Sequence, residues 1–340
     1  MAGQRLGELD VLRGLAALAV CGTHYTTMCQ DLGLLGWTFH WGMYGPPFFF
    51  VISGFVILMT VRKRPQALDF VVARASRIYP AYWLAIPIAY VAFAWFPLPG
   101  DSVTLSQALI NLTMLQTWLK VDDLDGVYWT LAVELKFYVL AFAVILFRGV
   151  KKFEFVAAGW LCVLAGYWNL TLLGVDVPGV IRTPLNVDYG ALFVGGIFFY
   201  LLKADGESLF RHFCIAASVC VQGFAQGLEA AAMACLFYAV FYLFLYGRLR
   251  FLAIGPLVWL GTTSYAFYLL QCPMGNIVMT LLRPVSDSPL LLSIASLGAS
   301  LLAAWGATVL IEQPALHLVR RKYEGWKAKR QAALATPATT

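Results

Sequence analysis

The stretch DVLRGLAALAVCGTHYTTMC, residues 10–29, decides the fold class, because it is apolar enough to cross a bilayer and yet carries Arg13 and His24. The two residues are eleven positions apart, which at ~100° per residue is about 20° past three helical turns, so both side chains share one helix face. At a rise of ~1.5 Å per residue, Arg13 lies near one membrane surface and His24 about 16 Å deeper. Ionisable groups inside a membrane span are costly and rare, so this pair indicates a functional site. The alternative interpretation is a satisfied polar cluster that fixes helix packing.

The composition of the whole chain places it among integral membrane proteins. Of its 340 residues, 61% are apolar and 12% are charged, and the mean hydropathy is +0.75, whereas soluble domains are about 25% charged. We therefore expect an all-α, polytopic transmembrane helical bundle that is surrounded by membrane lipids and has no nucleic-acid partner. The seven cysteines form no C-x-x-C pair and fall mostly inside apolar runs, so neither a disulfide scaffold nor a metal site is predicted.

Apolar runs predict about ten membrane spans. Their ranges are roughly 11–29, 46–61, 79–96, 128–147, 153–173, 189–202, 213–228, 230–246, 254–272 and 290–311. The run 213–246 exceeds the ~20 residues of one crossing, and the polar residues at 226–229 provide a hairpin break. The second and sixth spans are short, which is compatible with a re-entrant segment or a locally thinned bilayer. In the external loop 97–127, apolar residues over 103–118 predict a helix lying on the outer surface.

The distribution of basic residues orients this bundle. With the N-terminus inside, three of the 24 lysines and arginines fall in external loops and two fall within spans, namely Lys120, Arg182 and Arg283, and Arg13 and Lys136. The positive-inside rule expects such an asymmetry, so both termini are predicted to be cytoplasmic. Residues 1–315 then form one transmembrane domain, and residues 316–340 form a basic cytoplasmic tail whose end is disordered.

Short motifs along the chain resemble those of one enzyme family. They are, in order, LDVLRGLAALAV (9–20) followed by His24, FFFVISGFV (48–56), RASRIYPAYW (74–83), WTLAVELKFY (129–138), SYAFYLL (264–270) and an E-x-P triplet at Glu312–Pro314. Together and in this order they resemble the acyltransferase-3 family, multi-span enzymes that move acyl groups, often acetyl, onto cell-envelope carbohydrates. The resemblance implies transfer from acyl-CoA (acetyl-CoA) as donor, with His24 as the catalytic residue.

The chemistry of acyl transfer gives His24 a role that fits this resemblance. Transfer from a thioester to a hydroxyl needs a base for the hydroxyl proton and hydrogen-bond donors for the oxyanion. His24 is the only histidine that the predicted spans place deep in the bilayer, and an imidazole takes and returns a proton near neutral pH. In the structural alternative, the ring simply bonds across helices.

A predicted donor site lies at the cytoplasmic rim of the bundle. Arg74 and Arg77 are three positions apart just before the third predicted span, so in a helix they would share a face. Arginine side chains suit the phosphate oxygens of coenzyme A, and the motif context extends the site to Arg13, Tyr82 and Trp83. The phosphates would stay at the rim while the pantetheine arm threads inward to the buried histidine. Without the resemblance, two ordinary positive-inside anchors would be the preferred interpretation.

Two charged residues are assigned catalytic roles beside the histidine. Glu134 lies in the fourth predicted span at a depth comparable to that of His24, where it could orient the imidazole, bind a sugar hydroxyl or balance Lys136. Arg13, at the inner end of the first span, could hold the donor or pair with Glu312.

Substrate contacts are expected from five residues, which are Ser53, Trp129, Tyr268, Gln271 and Glu312. For Ser53 and its neighbour Gly54, close helix packing is the stronger interpretation. For Glu312, a structural role before Pro314 is about as well supported as a chemical one. Gln271 stands where many family members have histidine, and an amide bonds to polar groups but shuttles no proton at pH 7.

Three functions are compatible with this pattern. The first is an O-acyltransferase that acylates a carbohydrate or lipid-linked saccharide of the cell envelope in the bacterial inner membrane. The second is a transporter or flippase of an envelope glycan or lipid precursor, although no internal duplication is evident. The third is a scaffold without chemistry, which would leave Arg13, His24 and Glu134 unexplained.

Overall fold

The computed structural model describes residues 6–63, 66–99, 102–147 and 152–335. These residues form helices and no strand. The helices are α1 (Gly7–Asp31), α2 (Gly45–Lys63), α3 (Ala67–Trp95), α4 (Leu105–Asn111), α5 (Trp129–Leu146), α6 (Phe153–Leu172), α7 (Gly179–Leu185), α8 (Gly190–Asp205), α9 (Leu209–Gln226), α10 (Leu228–Leu245), α11 (Gly255–Leu282), α12 (Pro289–Ala307) and α13 (Gln313–Ala335), with a π-helical segment, Thr308–Glu312, between the last two. Four cations that the predicted orientation counts as cytoplasmic lie outside the described residues, namely Arg5, Arg64, Arg148 and Lys151.

The helical membrane fold predicted from composition is confirmed. Eight helices in the described ranges are long and apolar enough to cross a membrane. Two more long helices, α1 and α9, coincide with predicted spans but are more polar. The count of ten spans and the cytoplasmic termini therefore stay predictions, and the two sides of the bundle are named after the predicted orientation.

Several helices extend beyond the apolar runs that predicted them. α3 begins at Ala67, well before residue 79, so Arg74 and Arg77 lie on a regular helix. α11 continues through Pro273 to Leu282 instead of ending at residue 272. Hydropathy detects only the apolar part of a helix, which lies in lipid or in the protein core. It misses the polar ends, where the backbone hydrogen bonding of the helix goes on.

The predicted surface helix 103–118 is shorter in the structure. α4 spans only Leu105–Asn111, beginning at a capping box of Thr104 and Gln107. The chain then turns at Met114, because its φ of 61° is incompatible with a continuing right-handed helix. The tail from residue 313 is helical to Ala335, and the predicted disordered end, residues 336–340, lies outside the described residues.

The hairpin break predicted at 226–229 is confirmed. Gly227, with a φ of 89°, separates α9 from α10.

Small residues set the closest helix contacts. A side chain at Gly14 or Gly261 would collide with the backbone where α1 crosses α11. Gly54 and Gly196 play the same part between α2 and α8, as the packing interpretation expects of Gly54. In membranes such small residues let helices approach closely enough for backbone packing. The first contact fixes α1, the helix that carries His24, against α11, and the second fixes α2 against α8.

Candidate active site

Three cavities follow one another between α1 and α11, from the predicted cytoplasmic side to the predicted external side. We call them the inner vestibule, around Arg77, the middle cavity, around Glu134, and the outer chamber, around His24. Their volumes are about 550, 60 and 520 Å³. The first two adjoin, since Ser53 and Tyr265, among others, line both, whereas no described residue lines both the middle cavity and the outer chamber.

Charged side chains from six segments line the inner vestibule. Its described cations are Arg13, Lys63, Arg74, Arg77 and Arg320, and its carboxylates are Asp10, Glu134 and Glu312. Arg74 donates to Thr60 Oγ1 at 2.9 Å and lies over the ring of Tyr138, 5.7 Å from its centre. These contacts hold the guanidinium on the cavity wall. The structure thus brings the two arginines of the RxxR motif, together with Arg13, into one basic cavity.

Glu312 closes one side of this vestibule. It is 4% exposed and ends the π-helical segment, a helix form that recurs at functional sites. Its Oε1 lies 3.9 Å from Arg77 Nη1, and its Oε2 has no hydrogen-bond partner among the described residues. The ion pair therefore joins Glu312 to Arg77, and the charge of Arg13, the partner that the sequence offered as one option, acts on Glu312 more weakly. A buried carboxylate that is half satisfied can accept a further donor.

Glu134 organises the middle cavity. Its Oε1 accepts a hydrogen bond from Ser53 Oγ at 2.7 Å and another from Tyr138 Oη at 2.5 Å. The charge of Arg13 also acts across this cavity on Glu134. Glu134 thus ties α5 to α2 at the inner side of the bundle. The predicted role of orienting the imidazole finds no contact in the structure, because His24 lies in a different cavity.

A polar partition separates the middle cavity from the outer chamber. Tyr268 Oη lies 3.0 Å from Thr130 Oγ1 and donates to the carbonyl of Val127 at 3.2 Å. Thr130 Oγ1 in turn donates to that carbonyl at 2.9 Å. The sequence predicted one passage from the cytoplasmic rim to His24, whereas the described residues form two spaces divided by this hydroxyl cluster. The physical reason is that a buried tyrosine hydroxyl needs partners and finds them across the helix interface.

His24 lines the outer chamber, whose other walls come from the external loop and α11. Its ring Nδ1 lies 2.6 Å from Sγ of Cys272, and Nε2 has no hydrogen-bond partner among the described residues. The loop contributes Gln107 and the stretch 123–126 to the chamber. One ring nitrogen is therefore held by α11 while the other stays available to a proton.

The external-loop wall of this chamber carries two acidic groups, of which Asp125 is buried and Asp123 is half-buried. Burial raises the pKa of Asp123 above its ordinary value, although a hydrogen bond from Gln116 Nε2 at 2.7 Å opposes that rise. Asp125 is 3% exposed and accepts a hydrogen bond from the backbone N–H of Val127 at 3.1 Å. These groups offer hydrogen-bond acceptors to a polyhydroxyl molecule that enters from outside.

Two predicted donor contacts lie elsewhere. Tyr82 is fully buried and donates to the carbonyl of Asn111 at 2.7 Å, and Trp83 donates to the carbonyl of Leu112 at 3.0 Å. Both side chains thus anchor α3 to the external loop, away from the inner vestibule. Neither side chain lines the inner vestibule.

Two predicted substrate contacts also lie apart from the cavities. Trp129 packs against Tyr189, with ring centres 5.4 Å apart. Gln271 is fully buried, and neither atom of its amide has a hydrogen-bond partner among the described residues. Tyr268 and Ser53, in contrast, line the middle cavity. The predicted set of substrate residues is therefore divided between cavity walls and helix packing.

Among the cavity residues that sequence reasoning missed are three that contact its candidate residues, namely Thr130, Tyr138 and Cys272. Tyr138 follows Glu134 by four positions and Cys272 follows Tyr268 by four, a spacing that places each pair on one helix face. That spacing was readable in the sequence. The proximity of Cys272 to His24 was not, because it depends on how α1 crosses α11.

Comparison with known proteins places this geometry in a family. The family model for the acyltransferase-3 acyltransferase domain matches residues 6–309. The chain is similar to the peptidoglycan O-acetyltransferase OatA of Listeria monocytogenes, with 24% identity over 82% of this chain and 50% of that protein. It is also similar to the acyltransferase MdmB of Streptomyces mycarofaciens, with 32% identity over 46% of this chain and 43% of that protein.

The chain thus spans half or less of the length of these relatives. No solved structure matches it. The family match nevertheless runs from α1 through α12 and includes most of the residues that line the three cavities. This integral membrane protein belongs to the acyltransferase-3 family.

Proposed function

We propose that the protein is an acyl-CoA-dependent O-acyltransferase that acylates a hydroxyl of a cell-envelope glycan from the outer chamber. The observation that supports this most is that two chemically different cavities lie at opposite ends of one helix, α1. Arg13, at the inner end of α1, lies among the cations of the inner vestibule, and His24, near its outer end, lies among external-loop residues. A phosphate-bearing donor suits the first site and a neutral polyhydroxyl acceptor suits the second.

In this proposal the inner vestibule holds coenzyme A. Arg74 and Arg77 bind phosphate oxygens, since guanidinium groups form charge-assisted hydrogen bonds with them. Arg13 holds the donor deeper in the vestibule, where it also borders the middle cavity. The donor carries acetyl in the simplest case, because the middle cavity of about 60 Å³ has room for a group of a few atoms.

The thioester reaches the outer chamber by displacing Tyr268 from the partition. The ring is tethered through its hydroxyl to Thr130 and Val127, which are neutral partners. Such hydrogen bonds contribute about 0.5–1.5 kcal/mol each, so a side-chain rotation that breaks them is accessible. The partition then keeps water from the donor whenever no acyl group is passing.

At the acceptor, His24 acts as general base. Its Nε2 removes the hydroxyl proton as the oxygen attacks the acyl carbon, and the proton then passes to the leaving thiolate of coenzyme A. The contact of Nδ1 with Cys272 fixes the ring plane during this exchange. General-base catalysis of this kind contributes about 10²- to 10⁴-fold to the rate.

The glycan class of the acceptor rests on the similarity to OatA, whose name says that it O-acetylates peptidoglycan. The outer chamber, at about 520 Å³, is large enough for one or two sugar rings. We place the protein in the bacterial inner membrane, where cytoplasmic acetyl-CoA and an external glycan are both accessible.

Purified protein in liposomes provides the test. Radiolabelled acetyl-CoA is supplied on the side of the inner vestibule, and soluble peptidoglycan fragments serve as the acceptor probe. Ester-linked label on the glycan is expected, and His24→Ala should lower its rate about 10²- to 10⁴-fold. The matched control is His40→Ala, which replaces an exposed histidine at the start of a 3-10 helix that bonds only to Thr38 among the described residues.

Two results would contradict the proposal. Protein that neither binds acetyl-CoA nor transfers its acetyl group is not an acyl-CoA-dependent enzyme. Movement of labelled glycan across the liposome without acetyl-CoA would favour the transporter instead. Transfer by His24→Ala at the wild-type rate would refute only the assignment of the base.

A further inference from the structure

Cys272 and His24 form a thiol–imidazole pair in the wall of the outer chamber. The two residues are 248 positions apart in the chain, yet Sγ and Nδ1 are separated by 2.6 Å. Cys272 is 4% exposed and lines the chamber beside the ring. An imidazole at hydrogen-bond distance is the usual means of activating a thiol as a nucleophile.

The pair lies directly beyond the partition. Cys272 follows Tyr268 by four residues on α11, so its side chain lies one helical turn farther toward the external side on the same face. On this route an acyl group that passes Tyr268 next meets the thiol of Cys272. External-loop residues, among them Gln107 and Asp123, line the same chamber.

No other cysteine of the chain combines these features among the described residues. Cys29 lies on α1 as His24 does, but its sulfur contacts Ser293 Oγ at 3.8 Å and the Pro289 carbonyl at 3.9 Å. Cys21 is 2% exposed and does not line the outer chamber. The thiol of Cys272 is thus singled out by a base and a cavity together.

We propose that Cys272 carries the acyl group as a covalent thioester between two half-reactions. The inference rests on the proposed function and adds an intermediate to it. A covalent carrier removes the need for donor and acceptor to occupy the divided cavity system at the same time. It splits the transfer into one step facing the inner vestibule and one step facing the external loop.

In the first step, His24 Nδ1 takes the proton from the Cys272 thiol, and the sulfur attacks the carbonyl carbon of acyl-CoA. A new carbon–sulfur bond forms, the bond to coenzyme A breaks, and its thiolate receives the proton from the imidazolium. In the second step, His24 takes the proton of the acceptor hydroxyl as that oxygen attacks the acyl carbon on Cys272. The carbon–sulfur bond breaks, and the proton returns to the cysteine. Each step exchanges one acyl bond for another, so no oxidant or metal is required.

The test traps the intermediate in the full-length protein. Wild-type protein is mixed with radiolabelled acetyl-CoA without acceptor, quenched in acid within seconds and digested. Label approaching one acetyl per chain is expected on the peptide that contains Cys272, and neutral hydroxylamine should release it because thioesters react with this reagent. Addition of peptidoglycan fragments before quenching should remove the label at the rate of product formation.

Three variants complete the design. Cys272→Ala should retain no acetyl and should transfer at least about 100-fold more slowly. Cys272→Ser, which preserves the size of the side chain, should also lose the hydroxylamine-sensitive label. Cys29→Ala, the matched control, should be labelled as wild type. Thermal unfolding in detergent identifies any variant that fails to fold, in which case the wild-type trapping experiment decides alone.

The outcomes separate this inference from the proposed function. If wild-type protein transfers acetyl but no label is found on Cys272, or if Cys272→Ala transfers at the wild-type rate, the thioester is refuted and direct transfer stands. If wild-type protein neither transfers acetyl nor becomes labelled, both proposals are wrong.

Discussion

Arg77 on α3 and Glu312 at the end of the π-helical segment form an ion pair across the inner vestibule, with 3.9 Å between Nη1 and Oε1. The contact joins the helix of the RxxR motif to the turn before α13. Arg77 is the more accessible partner, since its side chain is 35% exposed and that of Glu312 is 6% exposed. A second anion in the vestibule can therefore reach the guanidinium without disturbing the buried carboxylate.

Replacement of Arg77 should weaken binding of the donor. Arg77→Gln removes one charge-assisted contact worth about 1.5–3 kcal/mol, so the KM for acetyl-CoA should rise about 10- to 100-fold while kcat changes little. Steady-state kinetics in detergent measure both quantities. The control Arg283→Gln replaces a cation that pairs with Asp287 at the other end of the bundle. Equal KM values for Arg77→Gln and wild type would exclude phosphate binding at this residue.

Truncation of Glu134 should destabilise the bundle. In Glu134→Ala the hydroxyls of Ser53 and Tyr138 lose their shared acceptor, and each unsatisfied buried group costs about 1–3 kcal/mol. Glu134→Gln keeps an acceptor oxygen, so its stability should fall less than that of Glu134→Ala. Thermal unfolding of the two purified variants compares them. A midpoint for Glu134→Ala at or above that of wild type would contradict the hydrogen-bonded arrangement.

The partition should open more readily without its tyrosine hydroxyl. Tyr268→Phe keeps the ring but loses the contacts with Thr130 and Val127, and a barrier lower by about 1 kcal/mol corresponds to roughly fivefold faster passage. The measurement is modification of Cys272 in liposomes by a small, membrane-impermeant thiol reagent added on the vestibule side. Tyr238→Phe, which loses a hydroxyl contact with Ser218 far from the cavities, should react as wild type. An unchanged rate for Tyr268→Phe would mean that this hydroxyl does not control access.

Close packing between α2 and α8 should not tolerate a methyl group. Gly54→Ala places a methyl carbon against the backbone of Phe193, so we expect the free energy of unfolding to fall by about 1–3 kcal/mol. Gly298→Ala on α12 meets no atom within 4 Å and should be neutral or stabilising, because alanine favours helices over glycine by about 1 kcal/mol. Thermal unfolding of both proteins in one detergent gives the comparison. If Gly54→Ala and Gly298→Ala changed the unfolding midpoint equally, the close backbone contact between α2 and α8 would be contradicted.

Much of the candidate site could be predicted because its signals are local. Arg74 and Arg77 share a face by their spacing, and the structure brings both into one basic cavity. Glu134 was recognisable as an ionisable group in an apolar run. Its partner Ser53 was not, because that contact joins positions 81 residues apart.

Other expectations failed where local signals conflict with tertiary contacts. Tyr82 and Trp83 follow the RxxR motif in sequence, but a helix carries them away from the vestibule at ~1.5 Å per residue, and they bond to the external loop. Gln271 shares a face with polar neighbours by spacing, yet packing against neighbouring helices buries it completely. Position along a helix axis and exposure to a cavity are separate properties, and spacing reports only the direction around the axis.

By itself the sequence determined that this chain is a helical membrane protein, where most helices lie, and which charged residues stand inside the apolar runs. These features follow from hydropathy and backbone hydrogen bonding, which act within a single segment. Only the tertiary structure decided that His24 meets Cys272 and that a partition separates this pair from the basic vestibule. Those features depend on which helices cross at their glycines, a choice made by steric fit between segments that are more than two hundred residues apart.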